Sequence, residues 1–193
     1  MKDFIVRNLS EVNDKHFQEA VRVFVDSFFK YLKCLSSDKE KFIRVFSAFF
    51  VKEHFFVCLL DNKVVGIIAY STRESHCQKV DKKLLFKEFG RIKGYFLYST
   101  LAKKPIPIAG NQAYIEDVAT DEAARGKGVA TRLMEHLMQT LQFEEYTLEV
   151  VDTNTSAIRV YEKLGFKTFL RKKQRLFRKA AGFNERLYMK KHL

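Results

Sequence analysis

The residues best placed to do chemistry begin with one short run, Arg125-Gly126-Lys127-Gly128-Val129-Ala130, set between a strand-like stretch and a helical one. Glycine lets a ligand approach the backbone closely, and the first N–H groups of a helix have no partner inside it. Such a turn makes an anion site suited to a pyrophosphate. The run is neither the G-x-G-x-x-G of a dinucleotide site nor the G-x-x-x-x-G-K-S/T of a P-loop, which disfavours NAD and ATP. A glycine pair also serves in ordinary turns, so the loop by itself leaves both readings open. Downstream, Asn154 and Tyr161 stand seven residues apart, two helical turns and therefore one side of a helix. Upstream, Glu116 alternates with Tyr114 and Val118 along a strand, and Glu149 lies five residues before Asn154.

These residues need elements to hold them. A strand is expected at about 113–119, a helix at 129–141, a strand at 146–151 and a helix at 156–164, stopped by Gly165; strands near Phe166 and at 186–189 follow. The second half thus reads β-α-β-α-β. In the first half, Phe4-Ile5-Val6 signals a short strand, and Phe17, Ala20, Val21, Phe24, Val25, Phe28 and Leu32 recur at helical spacing. Ser37-Asp38-Lys39-Glu40 has the spacing of a capping box ahead of a second helix bearing Phe42, Val45, Phe46, Phe49 and Phe50. Two apolar runs, 55–60 and 64–70, flank Asp61-Asn62-Lys63 as an antiparallel hairpin. The many aromatic residues here read as core. From 73 to 111 the chain turns basic and aromatic with a loose helical period, an insertion expected to carry one helix. Lys103-Lys104-Pro105-Ile106-Pro107 contains both prolines and predicts a loop.

With 193 residues and 22.7 kDa the chain is the size of one domain, and its 47% hydrophobic and 30% charged residues are globular usage. No apolar run is long enough to span a bilayer and no secretory signal opens the sequence, so a soluble, membrane-free protein is expected. Cys34, Cys58 and Cys77 are an odd number without a close pair, which fits neither a disulfide framework nor a zinc knuckle and predicts a reducing cytoplasm. The five histidines form no H-x-x-H spacing, and no serine sits in G-x-S-x-G, so metal and serine-hydrolase chemistry have no support. The net charge is +12, and from Arg159 onward twelve Lys/Arg stand against Glu162 and Glu185. That suits a polyanion or a phosphorylated ligand; on charge alone an ordinary solvated basic face is the favoured reading, and nucleic acid is not the partner expected.

In this order of elements, Arg125 to Ala130 fits R/Q-x-x-G-x-G/A, and Asn154 to Phe166 fits N-x-x-A-x-x-x-Y-x-x-x-G-F residue for residue. On these two motifs the chain resembles the GNAT superfamily of acetyl-CoA-dependent N-acetyltransferases over about 113–169. The resemblance implies an α/β fold: a mixed, mostly antiparallel central sheet with helices on both faces and a V-shaped split between two central strands. It implies one N-acetyltransferase domain over 1–193, with the 73–111 insertion longer than a minimal member needs. Acetyl-CoA is the implied co-substrate, its pantetheine arm lying in the split along the backbone of Val118, Ala119 and Thr120. Arg125, Gly126, Lys127, Gly128, Val129, Ala130 and Thr131 would hold the pyrophosphate, and Asn154 would bind the arm.

The same resemblance gives Tyr161 the role of acid, since a phenol with a pKa of about 10 can protonate a departing thiolate. Transfer also needs a neutral amine, and an alkylammonium is almost wholly protonated at neutral pH. Glu116 and Glu149 are the two candidate bases. The setting of Glu116 is similar to that in small-amine members, and that of Glu149 to members that acetylate protein N-termini. Strand alternation turns Asp117 away from Glu116, which leaves it out of the expected site. The expected reaction is direct acetyl transfer to a primary amine, of a small molecule or a protein N-terminus, within a ternary complex; a homodimer is compatible with it. The competing expectation is a non-catalytic acyl-CoA-binding or polyanion-binding module of the same fold, against which intact Asn154 and Tyr161 argue.

Overall fold

The computed structural model describes residues 3–102, 107–174 and 182–193. Residues 103–106 of the expected loop at 103–107, and the basic residues Arg175, Arg178 and Lys179, lie outside the described residues. Strand β1 (Ile5–Asn8) leads into helices α1 (Asp14–Leu32) and α2 (Lys39–Phe49). The hairpin strands β2 (Phe55–Leu60) and β3 (Lys63–Ser71) are joined through Asp61 and Asn62, both left-handed at φ 50° and 59°. Short polar residues tolerate that conformation in a tight hairpin turn. Helix α2 is capped one residue later than the Ser37 spacing predicts: the Asp38 carboxylate accepts from the Glu40 N–H at 2.9 Å.

Helix α3 (Lys82–Leu101) fills the expected insertion but is not one straight rod, because Gly90 breaks it at φ 75°, ψ 172°. The halves fold back on each other: the Lys82 ammonium lies 5.4 Å above the Tyr95 ring and 5.3 Å above the Tyr98 ring. The insertion is also part of the core. Leu85 and Leu97 are buried, the Phe89 ring packs tilted against Phe42 of α2 with centroids 4.8 Å apart, and Arg44 pairs with Glu88 at 2.8 Å.

Strand β4 (Gln112–Thr120), helix α4 (Val129–Leu141), strand β5 (Glu145–Val151), helix α5 (Thr155–Lys163) and strands β6 (Lys167–Lys173) and β7 (Glu185–His192) complete the chain. The sheet runs β1-β2-β3-β4-β5-β7-β6, antiparallel throughout except between β4 and β5. Each sheet face is covered by its own core. The phenylalanine-rich cluster of α1 and α2 lies on one side; Leu133, Met134, Leu137 and Tyr161 of α4 and α5 lie on the other with Ile115, Leu148 and Val150. Helices on both faces and a mostly antiparallel sheet are the expected class. Cys58 and Cys77 are buried free thiols, Cys34 an exposed one, and among the described residues no helix is long and apolar enough to cross a membrane.

Candidate active site

The site is set by where a ladder stops. β4 and β5 pair in parallel only from Gln112↔Glu145 to Ile115↔Leu148, although β4 continues to Thr120 and β5 to Val151. Beyond that point the two strands part. Val118, Ala119 and Thr120 remain paired on their other side to Ile68, Ile67 and Gly66 of β3. Their backbone edge toward β5 is thus available to an extended ligand, since an unpaired strand edge presents N–H and C=O groups.

At the same end of the sheet the chain passes through Arg125 and Gly126 into α4. Gly128 is the N-cap residue at φ 80° and makes no side-chain capping hydrogen bond. A Cβ placed on Gly126 or Gly128 would meet no atom within 4 Å, so open space lies in front of the uncapped N–H groups of Val129, Ala130 and Thr131. Val129 itself is buried. Its seating requires Gly66, since a Cβ there would collide with Val129 Cγ1. Arg125 is exposed, whereas the Lys127 ammonium folds back to donate to the Ala123 carbonyl at 2.7 Å. These features fit a phosphorylated ligand with an extended arm.

Across the split, Asn154 caps α5: its Oδ1 accepts from the Ala157 N–H at 3.3 Å and the Ser156 hydroxyl at 3.1 Å. Both bonds engage the side-chain oxygen in holding the start of the helix. Two turns on, Tyr161 is 7% exposed and packs beside Phe166, ring centroids 6.1 Å apart. Burial, with the Asp117 carboxylate adding to it, pushes its phenol up to about 12. It therefore holds its proton at neutral pH.

Glu116 and Glu149 project from the two parted strands on the face away from α4. The Ser71 hydroxyl of β3 donates to Glu116 and itself accepts from the Cys77 N–H at 2.9 Å. Glu149 is ion-paired to Arg186 and hydrogen-bonded by the Tyr188 phenol, its partner across the β5–β7 ladder. Burial first, then this carboxylate, lifts Tyr188 to about 12. Tyr114 lies within electrostatic reach of both acids. Its phenol is raised far above the ordinary value, first by burial and then by Glu149 and Glu116.

Asp117 corrects the expectation from alternation. The register passes from Ile68↔Val118 to Tyr70↔Ile115, so Ala69 of β3 opposes both Glu116 and Asp117. Such a bulge shifts the pleat by one residue. Ala113 and Ile115 point into the α4–α5 core, and the next residue to do so is Val118 rather than Asp117. Asp117 therefore lies on the Glu116 face, where Gln78 Nε2 donates to it at 3.4 Å. Burial first, then Glu116, raises its carboxyl to about 7. Sequence reasoning also missed Ser71, Tyr114 and Tyr188; only the alternation of Tyr114 with Glu116 could have signalled any of them.

Comparison with known proteins agrees with this geometry. A family model described as Acetyltransferase (GNAT) family matches residues 18–166. The N-alpha-acetyltransferase of Saccharolobus solfataricus is 32% identical over 117 residues, 58% of this chain; the match spans 56% of that protein, so the chain spans about half the length of this curated relative. Among solved structures, a Corynebacterium glutamicum protein described as histone acetyltransferase HPA2 and related acetyltransferase superposes with a TM-score of 0.70 at 22% identity, covering 100% of this chain and 97% of its own. An N-acetyltransferase from Staphylococcus aureus does so at 0.66 and 18% identity, covering 97% and 100%. At these identities the two structures establish likeness of fold.

Proposed function

The chain belongs to the GNAT acetyltransferase family, and from that premise we propose that it is an acetyl-CoA-dependent enzyme that moves the acetyl group directly to a primary amine within a ternary complex. One observation carries the reading: the open edge of β4 at Val118–Thr120 and the uncapped start of α4 lie at the same end of the sheet. The edge offers hydrogen bonds to the pantetheine arm, while the helix start and Arg125 favour its pyrophosphate. Asn154 donates to the arm from the opposite side. We read residues 1–193 as one catalytic domain, with α3 as its elaboration.

The acetyl end then lies between Tyr161 and the two glutamates. Tyr161 keeps its proton until the thiolate leaves, then supplies it. Glu116 takes the proton from the amine. Between the two acids, Glu116 is the stronger candidate base, because Glu149 is neutralised by Arg186 and occupied by Tyr188. Glu149 with Tyr188 instead shapes the entrance for a cationic acceptor. The named activity of the Saccharolobus relative makes a polypeptide α-amine the first acceptor to try, with small primary amines beside it.

The test is the initial rate of CoA thiol release across peptides and small amines, varied against acetyl-CoA. Intersecting double-reciprocal lines, with no thiol released when amine is withheld, are expected. Parallel lines with a burst of thiol in the absence of amine would indicate an acetylated protein instead.

A further inference from the structure

We propose that Ser71 is a positioning residue for Glu116: it passes a hydrogen bond from the backbone at the entry to the insertion onto one carboxylate oxygen and so leaves the other to the acceptor amine. The inference deepens the reading of Glu116 as the base and rests on it. Ser71 is the last residue of β3 and pairs with Tyr114 of β4. Partners across a ladder share a face, and Glu116 follows Tyr114 by two residues, so the Ser71 hydroxyl lies on the Glu116 face. Ser71 is fully buried, whereas Glu116 is exposed. The carboxylate is thus anchored at its inner end and open at its outer one.

The direction of this chain of bonds is fixed by its first link. A backbone N–H can only donate, and that of Cys77 gives its hydrogen to Ser71 Oγ at 2.9 Å. The hydroxyl proton is then committed to Glu116 Oε1, which as a carboxylate oxygen only accepts. The first donor is itself held in place. Beyond Ser71 the chain turns back, with the Thr72 N–H on the Ser75 carbonyl at 2.8 Å. Cys77 is then pinned to the end of α2: its carbonyl accepts from the Val51 N–H at 2.9 Å, and the Lys79 N–H donates to the Phe49 carbonyl at 2.8 Å. A buried hydroxyl tied to fixed backbone gives a carboxylate one orientation, and a hydrogen bond to its charged form favours the ionised state that a base requires.

The titratable groups facing Glu116 come from three places. Tyr114 and Asp117 stand on its own strand, and Cys77 belongs to the segment before α3. Glu149, Tyr188 and Arg186 lie on β5 and β7, where Arg186 is engaged with Glu149. Removing the Ser71 hydroxyl therefore takes a donor from Glu116 and leaves the Cys77 N–H facing a methyl group. The carboxylate loses its fixed orientation together with the bond that favours its charge.

The test compares Ser71→Ala, Glu116→Gln and the double variant in the full chain. The acceptor is the peptide or small amine from which CoA thiol is released fastest, with kcat/KM followed against pH and acetyl-CoA affinity by calorimetry. Ser71→Ala is expected to keep acetyl-CoA affinity, to lower kcat/KM about 10-fold and to displace its acid limb to higher pH. On the Glu116→Gln background the same substitution should cost nothing further and move nothing, because Ser71 acts only through that carboxylate. Ionisation of Asp117 and Tyr114 is common to both backgrounds and drops out. Ser71→Cys gives a second reading should Ser71→Ala fail to fold: it fills nearly the same space, its thiol is a weak donor, and a smaller displacement in the same direction is expected. An acid limb that stays in place, a loss uniform over pH, or losses that multiply in the double variant would overturn the role of Ser71 alone. Wild-type kcat/KM at every pH in Glu116→Gln would overturn the base and its positioning residue with it.

Discussion

Glu116 and Asp117 are adjacent in sequence and lie on the same face of β4, because Ala69 of the neighbouring strand stands opposite both. The bulge coincides with the end of the β4–β5 ladder at Ile115↔Leu148. The irregularity thus lies where β4 and β5 part, and it puts two carboxylates on one face there.

The anion cradle is tested by Gly128→Asp. The residue sits at φ 80° with open space before it, so an aspartate is strained there by about 1–2 kcal/mol and places a carboxylate where the pyrophosphate would lie. Calorimetry should find a folded protein with acetyl-CoA affinity reduced more than 100-fold. Wild-type affinity would remove the cradle from the account.

Asp117 leaves a signature in stability. Its folded value of about 7 lies above the ordinary 3.8, so the stability it confers is full below pH 3.8 and is lost as pH rises toward 7, while the unfolded chain ionises and the folded one resists. Asp117→Asn removes that loss. Its melting temperature relative to wild type should climb between about pH 4 and 7 and then level off. A difference independent of pH would contradict the perturbed carboxyl.

The two glutamates separate by pH. Glu116→Gln should depress kcat/KM most at low pH, where free amine is scarce, with the deficit shrinking as pH approaches the pKa of the amine. Glu149→Gln should chiefly raise KM for the acceptor and free Arg186 from its partner. A pH-dependent loss in Glu149→Gln with near-normal Glu116→Gln would exchange their roles.

Much of the frame was legible in the sequence, and the reasons are local. Helix α4 begins and ends where periodicity and Gly128 place it, and Asp61-Asn62 specify the hairpin turn through their own conformational preferences. Asn154 and Tyr161 hold their spacing because Asn154 caps the helix that carries Tyr161. Asp117 was lost because strand alternation knows nothing of register, and the bulge arises only when β3 pairs with β4. The break at Gly90 was equally hidden: the apolar period continues through it, although the glycine's positive φ turns the chain back there. Tyr188 reaches Glu149 across strands far apart in sequence, a contact that no spacing encodes.

On the proposed reading, acetyl transfer occurs in the β4–β5 split with Tyr161 as its acid. The most direct measurement pairs turnover with binding in Tyr161→Phe, scoring acetylated amine and released CoA thiol in the same reaction. One acetyl group transferred per thiol released is expected of the wild type. For the variant, unchanged acetyl-CoA affinity and a kcat lower by roughly 10- to 1000-fold are expected. A variant that turns over like the wild type, or a wild type that binds acetyl-CoA yet acetylates no amine above the uncatalysed rate, would contradict it.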